Sequence, residues 1–153
     1  MNNNNKEIER KFLVDDFWHP KSKGVIITQY YLSDTPTVRI RIADDKAFIT
    51  IKGPMKSFTR SEYEYEIPYT DAVEMLSLAI LDPVEKIRYT EEVAGHKWEI
   101  DVFKGKNEGL IVAEIEMKSE DEEIIYPHWI IDDVTKQDKY YNSNLAKHPY
   151  KEW

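Results

Sequence analysis

Along most of the chain, charged and apolar residues alternate in short runs that are separated by turn residues. Successive side chains of a strand point to opposite faces. The alternation therefore predicts strands over Lys6–Val14, Val25–Leu32, Thr37–Ala43, Ala47–Gly53, Arg60–Pro68, Val84–Val93, His96–Phe103 and Leu110–Lys118. Asp44-Asp45-Lys46, Ala94-Gly95 and Gly105 to Gly109 read as hairpin connections, and Gly53-Pro54 ends a strand because proline donates nothing to a ladder. About eight strands joined by short turns predict an antiparallel meander, and closure into a barrel removes its exposed edges. Helical signals are few. Thr70 or Asp71 is placed to cap a helix running to about Leu81, with an apolar stripe of Val73, Met75, Leu76 and Ala79 or Ile80. Ser119 to Glu122 fits a capping box before a short acidic helix, Asp15–Pro20 fits one further helical turn, and a last short helix starts near Ser143 and carries Leu145 and Ala146.

The charges define one face of nearly every strand. Glu7, Glu9 and Lys11 share a face, as do Arg39 with Arg41, Thr50 with Lys52, Arg60 with Glu62, Glu64 and Glu66, Lys86 with Arg88, Lys97 with Glu99 and Asp101, and Glu114 with Glu116. In a single strand this pattern means a solvated outer face. Repeated around a closing sheet whose apolar face is covered by helices, it turns the charged face inward. A bore filled with opposed charges is costly unless it holds water and a highly charged ligand. Arginine and lysine clusters suit phosphate oxygens, whereas carboxylates without histidine or cysteine suit a hard cation such as Mg²⁺ or Mn²⁺. A polyphosphate bridged to the protein by a divalent metal satisfies both sets.

Composition narrows the field. The 153 residues predict a single domain over 1–153, with residues 1–5, Met1 and an asparagine run, expected to be disordered. Acidic residues outnumber basic ones by 29 to 21, a formal charge of −8, which argues against nucleic acid or an anionic membrane as partner. There is no cysteine, so thiolate metal sites and thiol nucleophiles are excluded. Four dispersed histidines, at positions 19, 96, 128 and 148, offer no ligand spacing, and no secretion signal or membrane-length apolar run is present. A cytoplasmic location is expected, as a monomer or homodimer.

Glu7-Ile8-Glu9-Arg10-Lys11 resembles the ExExK signature of the CYTH superfamily, the triphosphate tunnel metalloenzymes. Further motifs follow in that family's order: Gln29-Tyr30-Tyr31-Leu32, Arg39-Ile40-Arg41, Thr50-Ile51-Lys52, Arg60 to Glu64, Glu85 to Tyr89, Glu99 to Phe103, Glu114-Ile115-Glu116, and a closing stretch at Asp133-Val134-Thr135 and Lys139 to Leu145. The resemblance implies a mainly β (α+β) fold, an eight-stranded antiparallel β-barrel tunnel with a few short helices outside, that takes a small-molecule triphosphate and a divalent metal. It implies metal ligands at Glu7, Glu9, Glu114 and Glu116, with Glu62 and Glu64 nearby. Triphosphate contacts are implied at Lys11, Arg39, Arg41, Lys52, Lys86 and Arg88, with Arg60 and Lys139 as further candidates. Tyr31 and Lys52 are the implied catalytic pair that orients or activates water. Two departures stand out: Tyr30 occupies a position where many relatives have glycine, and Lys139 one where arginine is common. The expected activity is metal-dependent hydrolysis of inorganic tripolyphosphate to pyrophosphate and phosphate. A class IV-type adenylate cyclase, a thiamine triphosphatase and a non-catalytic polyphosphate-binding module are the alternatives. A lipocalin-like carrier is disfavoured because its interior should be apolar.

Overall fold

A computed structural model describes residues 5–153. The disorder expected for residues 1–5 falls on residues outside this range, apart from Asn5, whose carbonyl accepts the Glu62 N–H at 2.8 Å. The strands are β1 (Lys6–Val14), β2 (Val25–Ser33), β3 (Thr37–Ala43), β4 (Lys46–Lys52), β5 (Thr59–Ile67), β6 (Val84–Val93), β7 (His96–Phe103), β8 (Ile111–Glu116) and β9 (Ile130–Asp133). Eight of them close an antiparallel barrel in the order β5-β4-β3-β2-β6-β7-β8-β1, and β1 pairs back onto β5. β1 closes the barrel by dividing its hydrogen bonds. Lys6 to Ile8 pair with β5, Glu9 to Leu13 pair with β8, and Phe12 and Val14 carry the ninth strand outside the ring.

The eight predicted strands all form, with ends shifted by a residue or two. β9 was not foreseen, because Ile130–Asp133 is too short to show a period. The β6–β7 hairpin turns on two residues, Ala94 and Gly95, both at positive φ, as the twist of a tight hairpin requires.

The helical predictions fare unevenly. α1 spans Tyr69–Met75 and continues as a 3₁₀ turn over Leu76–Leu78. Thr70 and Asp71 lie inside it; the N-cap position is Pro68, with no side-chain cap. The residue it buries is Ala72, whereas Val73 and Leu76 are exposed, because the helix packs on the β3 and β4 surface through Ala72, Met75 and the following Ala79. Ser119 to Glu122 make a turn and no helix. Glu122 accepts the Lys118 N–H at 2.7 Å and meets His96 Nε2 at 2.7 Å, which holds the segment against the β6–β7 tip. Asp15 accepts the Phe17 and Trp18 amides and forms a turn only. α2 (Asn142–Lys147) forms near the expected place.

The hydrophobic core lies outside the barrel wall. Phe12, Val14, Trp98, Ile100, Ala113 and Ile115, the outward residues of β1, β7 and β8, pack under Trp18 and Trp129, and these apolar contacts are the main stabilising term of the wall. Tyr30, Ile40 and Ala47 pack under Ala72 of α1. Tyr30 therefore points away from the bore and its hydroxyl donates to the Ala72 carbonyl, so the departure at this position supports α1 and leaves the tunnel lining unchanged. A third cluster differs in kind. Val84, Phe103 and Val112 are on the same faces as Lys86, Asp101 and Glu114, so the inward faces of β6, β7 and β8 turn apolar toward one mouth. Tyr140 and Leu145 of the C-terminal segment cover that apolar end.

Candidate functional site

With the apolar faces buried outside, the alternation leaves the charged faces inside. A cavity of about 260 Å³ lies inside the barrel, lined by seven cations and seven carboxylates. The cations are Lys11, Arg39, Arg41, Lys52, Arg60, Lys86 and Arg88; the carboxylates are Glu7, Glu9, Glu62, Glu64, Glu99, Glu114 and Glu116. Tyr31 also lines it. Every sequence-predicted site residue except Lys139 thus reaches one cavity. Lys139 lies outside, its Nζ 4.4 Å from the Trp153 ring centre and 5.4 Å from that of Tyr140. The 3₁₀ turn Asp138–Tyr140 buries Tyr140, and its neighbour Lys139 is thereby turned outward.

The charges pair across strands, but incompletely. Lys52 sits 3.1 Å from both Glu7 oxygens and 3.3 Å from Glu62. Lys11 is 2.9 Å from Glu114 and 3.1 Å from Glu9. Asp101, fully buried behind the lining, accepts Arg88 through both oxygens at 2.7 and 2.9 Å and meets Lys86 at 2.8 Å. Arg60 reaches Glu7 at 3.4 Å, and Glu64 accepts the Thr50 hydroxyl at 2.7 Å and faces Arg39 at 3.6 Å. Two groups stand out as unsatisfied. Among the described residues Arg41 has no carboxylate within 4.0 Å; its Nε donates only to Gln29 Oε1, at 3.5 Å. The buried Arg39 Nε has no acceptor among the described residues. Buried donors without partners are costly.

The electrostatics divide the bore into two poles. At one, burial together with Glu114 and Glu7 pushes Glu9 up to about 8, and burial together with Glu7 pushes Glu62 up to about 7. Burial and the same Glu7 also raise Glu116. Burial works against Glu7 too, yet Lys52 and Arg60 hold it well below the usual carboxylate range. Likewise Lys11 and Arg88 outweigh burial at Glu114 and keep it ionised. At the other pole, burial with Arg39 and Arg88 nearby lowers Arg41 to about 10. Burial, only partly offset by Asp101, brings Lys86 down to about 7. Burial raises Tyr31, so its hydroxyl keeps its proton. Carboxylates outnumber their cationic partners at one pole, and cations outnumber their carboxylate partners at the other.

Glu7, Glu9, Glu62, Glu114 and Glu116 offer only hard oxygen donors, and their crowding is the kind that a divalent cation relieves. Among the described residues no three of them stand as an assembled metal cage; Lys11 bridges Glu9 and Glu114, and Lys52 bridges Glu7 and Glu62. The donor chemistry fits a hard cation that displaces ammonium groups on entry.

Sequence reasoning missed several lining groups. Asn142 and Ser143 at the head of α2 line the cavity, and Gln29 lies fully buried behind it; all three are uncharged and carry no charge-pattern signal. Tyr141 lines the cavity with its ring centre 5.8 Å from Lys11 Nζ, and its hydroxyl donates to the Thr135 carbonyl at 2.9 Å. Glu99, on the charged face of β7, also lines the cavity and stands outside the implied ligand set.

Comparison with known proteins agrees with this geometry. The CYTH domain model matches residues 5–149. The chain belongs to the CYTH domain family. An inorganic triphosphatase of Acetivibrio thermocellus is 45% identical over 150 residues, which covers 95% of this chain and 96% of that protein. An inorganic triphosphatase of Nitrosomonas europaea is 36% identical over 147 residues, covering 92% and 96%. A crystal structure of an inorganic triphosphatase superposes with a TM-score of 0.67 at 35% identity, covering 92% of this chain and 93% of the other. No helix among the described residues is long and apolar enough to cross a membrane.

Proposed function

We propose that this CYTH chain hydrolyses a terminal phosphoanhydride of inorganic tripolyphosphate, releasing pyrophosphate and orthophosphate. The observation that carries the reading is that one bore crowds Glu7, Glu9, Glu62, Glu114 and Glu116 together and also holds Arg41, with no carboxylate within 4.0 Å among the described residues, and Arg39, whose Nε lacks an acceptor among them. A divalent metal polyphosphate is the ligand whose two charges answer both poles. Its two curated inorganic triphosphatase relatives, each matched over more than nine-tenths of its length, support the same reaction.

In this reading Arg39, Arg41, Lys86 and Arg88 hold the phosphates that do not react and neutralise charge moving onto the leaving pyrophosphate. Glu7, Glu9, Glu114 and Glu116, with Glu62 beside them, hold the cation, Mg²⁺ or Mn²⁺. Bound there, such a cation supplies charge neutralisation and a more acidic water. Tyr31 keeps its proton, so it orients water or a phosphate oxygen as a donor and does not act as a base. Lys52, tied to Glu7 and Glu62, sets the position of those carboxylates and contacts phosphate when they turn to the cation. The water oxygen bonds to the terminal phosphorus, the bridging P–O bond breaks, and the water proton leaves to solvent or to a carboxylate.

The test is incubation of purified protein with tripolyphosphate, ATP and thiamine triphosphate, with and without Mg²⁺ or Mn²⁺. Metal-dependent orthophosphate from tripolyphosphate is expected, at a higher kcat/KM than from either organic triphosphate. Cyclic AMP with pyrophosphate from ATP, or no turnover of any substrate, overturns the reading.

A further inference from the structure

The sequence motifs leave several lining residues without a role, and Asn142 is the one with a fixed hydrogen-bond network. Asn142, the first residue of α2, enters the bore from the C-terminal segment and not from a strand. Its Oδ1 accepts two hydrogen bonds, from Lys86 Nζ at 2.9 Å and from Gln29 Nε2 at 2.7 Å. Gln29 is itself fixed: it is fully buried, and its Oε1 accepts Arg41 Nε at 3.5 Å, so its amide is oriented with Nε2 toward Asn142. With two donors on Oδ1, the orientation of the Asn142 amide is determined by its network. Its Nδ2 donates to no protein group among the described residues, and the residue itself lines the cavity. The segment cannot easily move away, since Leu145 is fully buried among Val84, Phe103 and Val112, and the Tyr141 hydroxyl is tied to Thr135.

We infer that Asn142 is a further substrate-binding residue: its amide Nδ2 donates to an oxygen of the phosphate gripped by Lys86 and Arg41, with Gln29 as its positioning residue. The inference rests on the polyphosphate reading above and adds to it an uncharged contact. That contact sits beside Lys86, where a neutral donor adds a hydrogen bond without further like-charge repulsion. It also ties the C-terminal segment, through Lys86, to the state of the bore.

The variant Asn142→Asp separates binding from scaffolding. A carboxylate still accepts from Lys86 and Gln29, so the fold and the melting temperature are retained, but the donor to phosphate is gone and a negative charge replaces it. A rise of at least about tenfold in tripolyphosphate KM and in its calorimetric Kd is expected, with kcat changed less than about threefold. Asn142→Ala, which removes the donor without adding charge, is expected to show a smaller rise in both constants. Unchanged KM and Kd in the Asp variant, with its melting temperature kept, overturns the inference while leaving the hydrolysis reading intact. Tripolyphosphate that binds wild type and is lost from the variant, without turnover in either, supports Asn142 and overturns hydrolysis. Failure of wild type to bind tripolyphosphate overturns both.

Discussion

Asp101 is the clearest place to test how the bore is held together. It is fully buried, and two cations converge on it, Arg88 at 2.7 and 2.9 Å and Lys86 at 2.8 Å. Asp101→Asn keeps the shape and removes the charge. Breaking a buried pair from one side costs about 3–5 kcal/mol, because the stranded charge stays buried. Two features of this site move the expectation to the low end. Arg88 retains Glu99 at 3.3 Å and Glu114 at 3.8 Å. Lys86, already lowered to about 7 chiefly by burial, gives up its proton once Asp101 no longer opposes the shift. We therefore expect a loss of about 3 kcal/mol at pH 7, or about 6–12 °C in Tm for a chain of this size. Urea denaturation should show a lower midpoint with an unchanged slope. The penalty should be greater at pH 6, where wild-type Lys86 is charged and paired, than at pH 8.5, where it is neutral in either protein. A loss below about 1 kcal/mol at pH 6 would show that Asp101 is not the counter-ion on which the basic pole depends.

Glu9→Gln should reduce metal-dependent turnover by about a hundredfold or more while barely changing the stability of the metal-free protein, because Glu9, at about 8, is already largely protonated at neutral pH; a steady-state assay beside a thermal melt checks both halves. Without metal, Tm should fall as pH rises from 5 to 7. Glu9 and Glu62 have folded values of about 8 and about 7 against an ordinary 4.5, so the folded state binds more protons in that window. Saturating Mg²⁺ should flatten the slope and release protons on binding, a release that titration in buffers of different ionisation enthalpy measures. Arg41→Met, which removes a guanidinium without a carboxylate partner, should leave the melting temperature unchanged or higher and weaken tripolyphosphate binding about tenfold or more. Lys139→Ala should leave KM within twofold, since that side chain stacks on Trp153 outside the bore; a large rise would return it to the phosphate site.

The strands and the charged inner face were legible in the sequence because both rest on a period of two, which the pleat imposes on any strand. Glu7, Glu9 and Lys11 can only share a face, and Phe12 can only oppose them. The order of motifs then carried the resemblance, and with it the closed barrel. Short-range helix signals did less well. The capping-box pattern at Ser119 to Glu122 was overridden by a contact with His96, which lies far off in sequence, and Asp71 lost its capping place to a helix that begins at Pro68–Tyr69. Which charges find partners was not legible either. That Lys52 is claimed by Glu7 and Glu62 while Arg41 is left to Gln29 depends on the stagger of strands around the barrel, a sum over every register. Lys139 and Asn142 make the same point from opposite sides, being three residues apart in one motif. Local alternation in the sequence determined which face each strand offers, but only the closing of the C-terminal segment over Val84, Phe103 and Val112 decided that Lys139 turns to Trp153 and Asn142 turns into the bore.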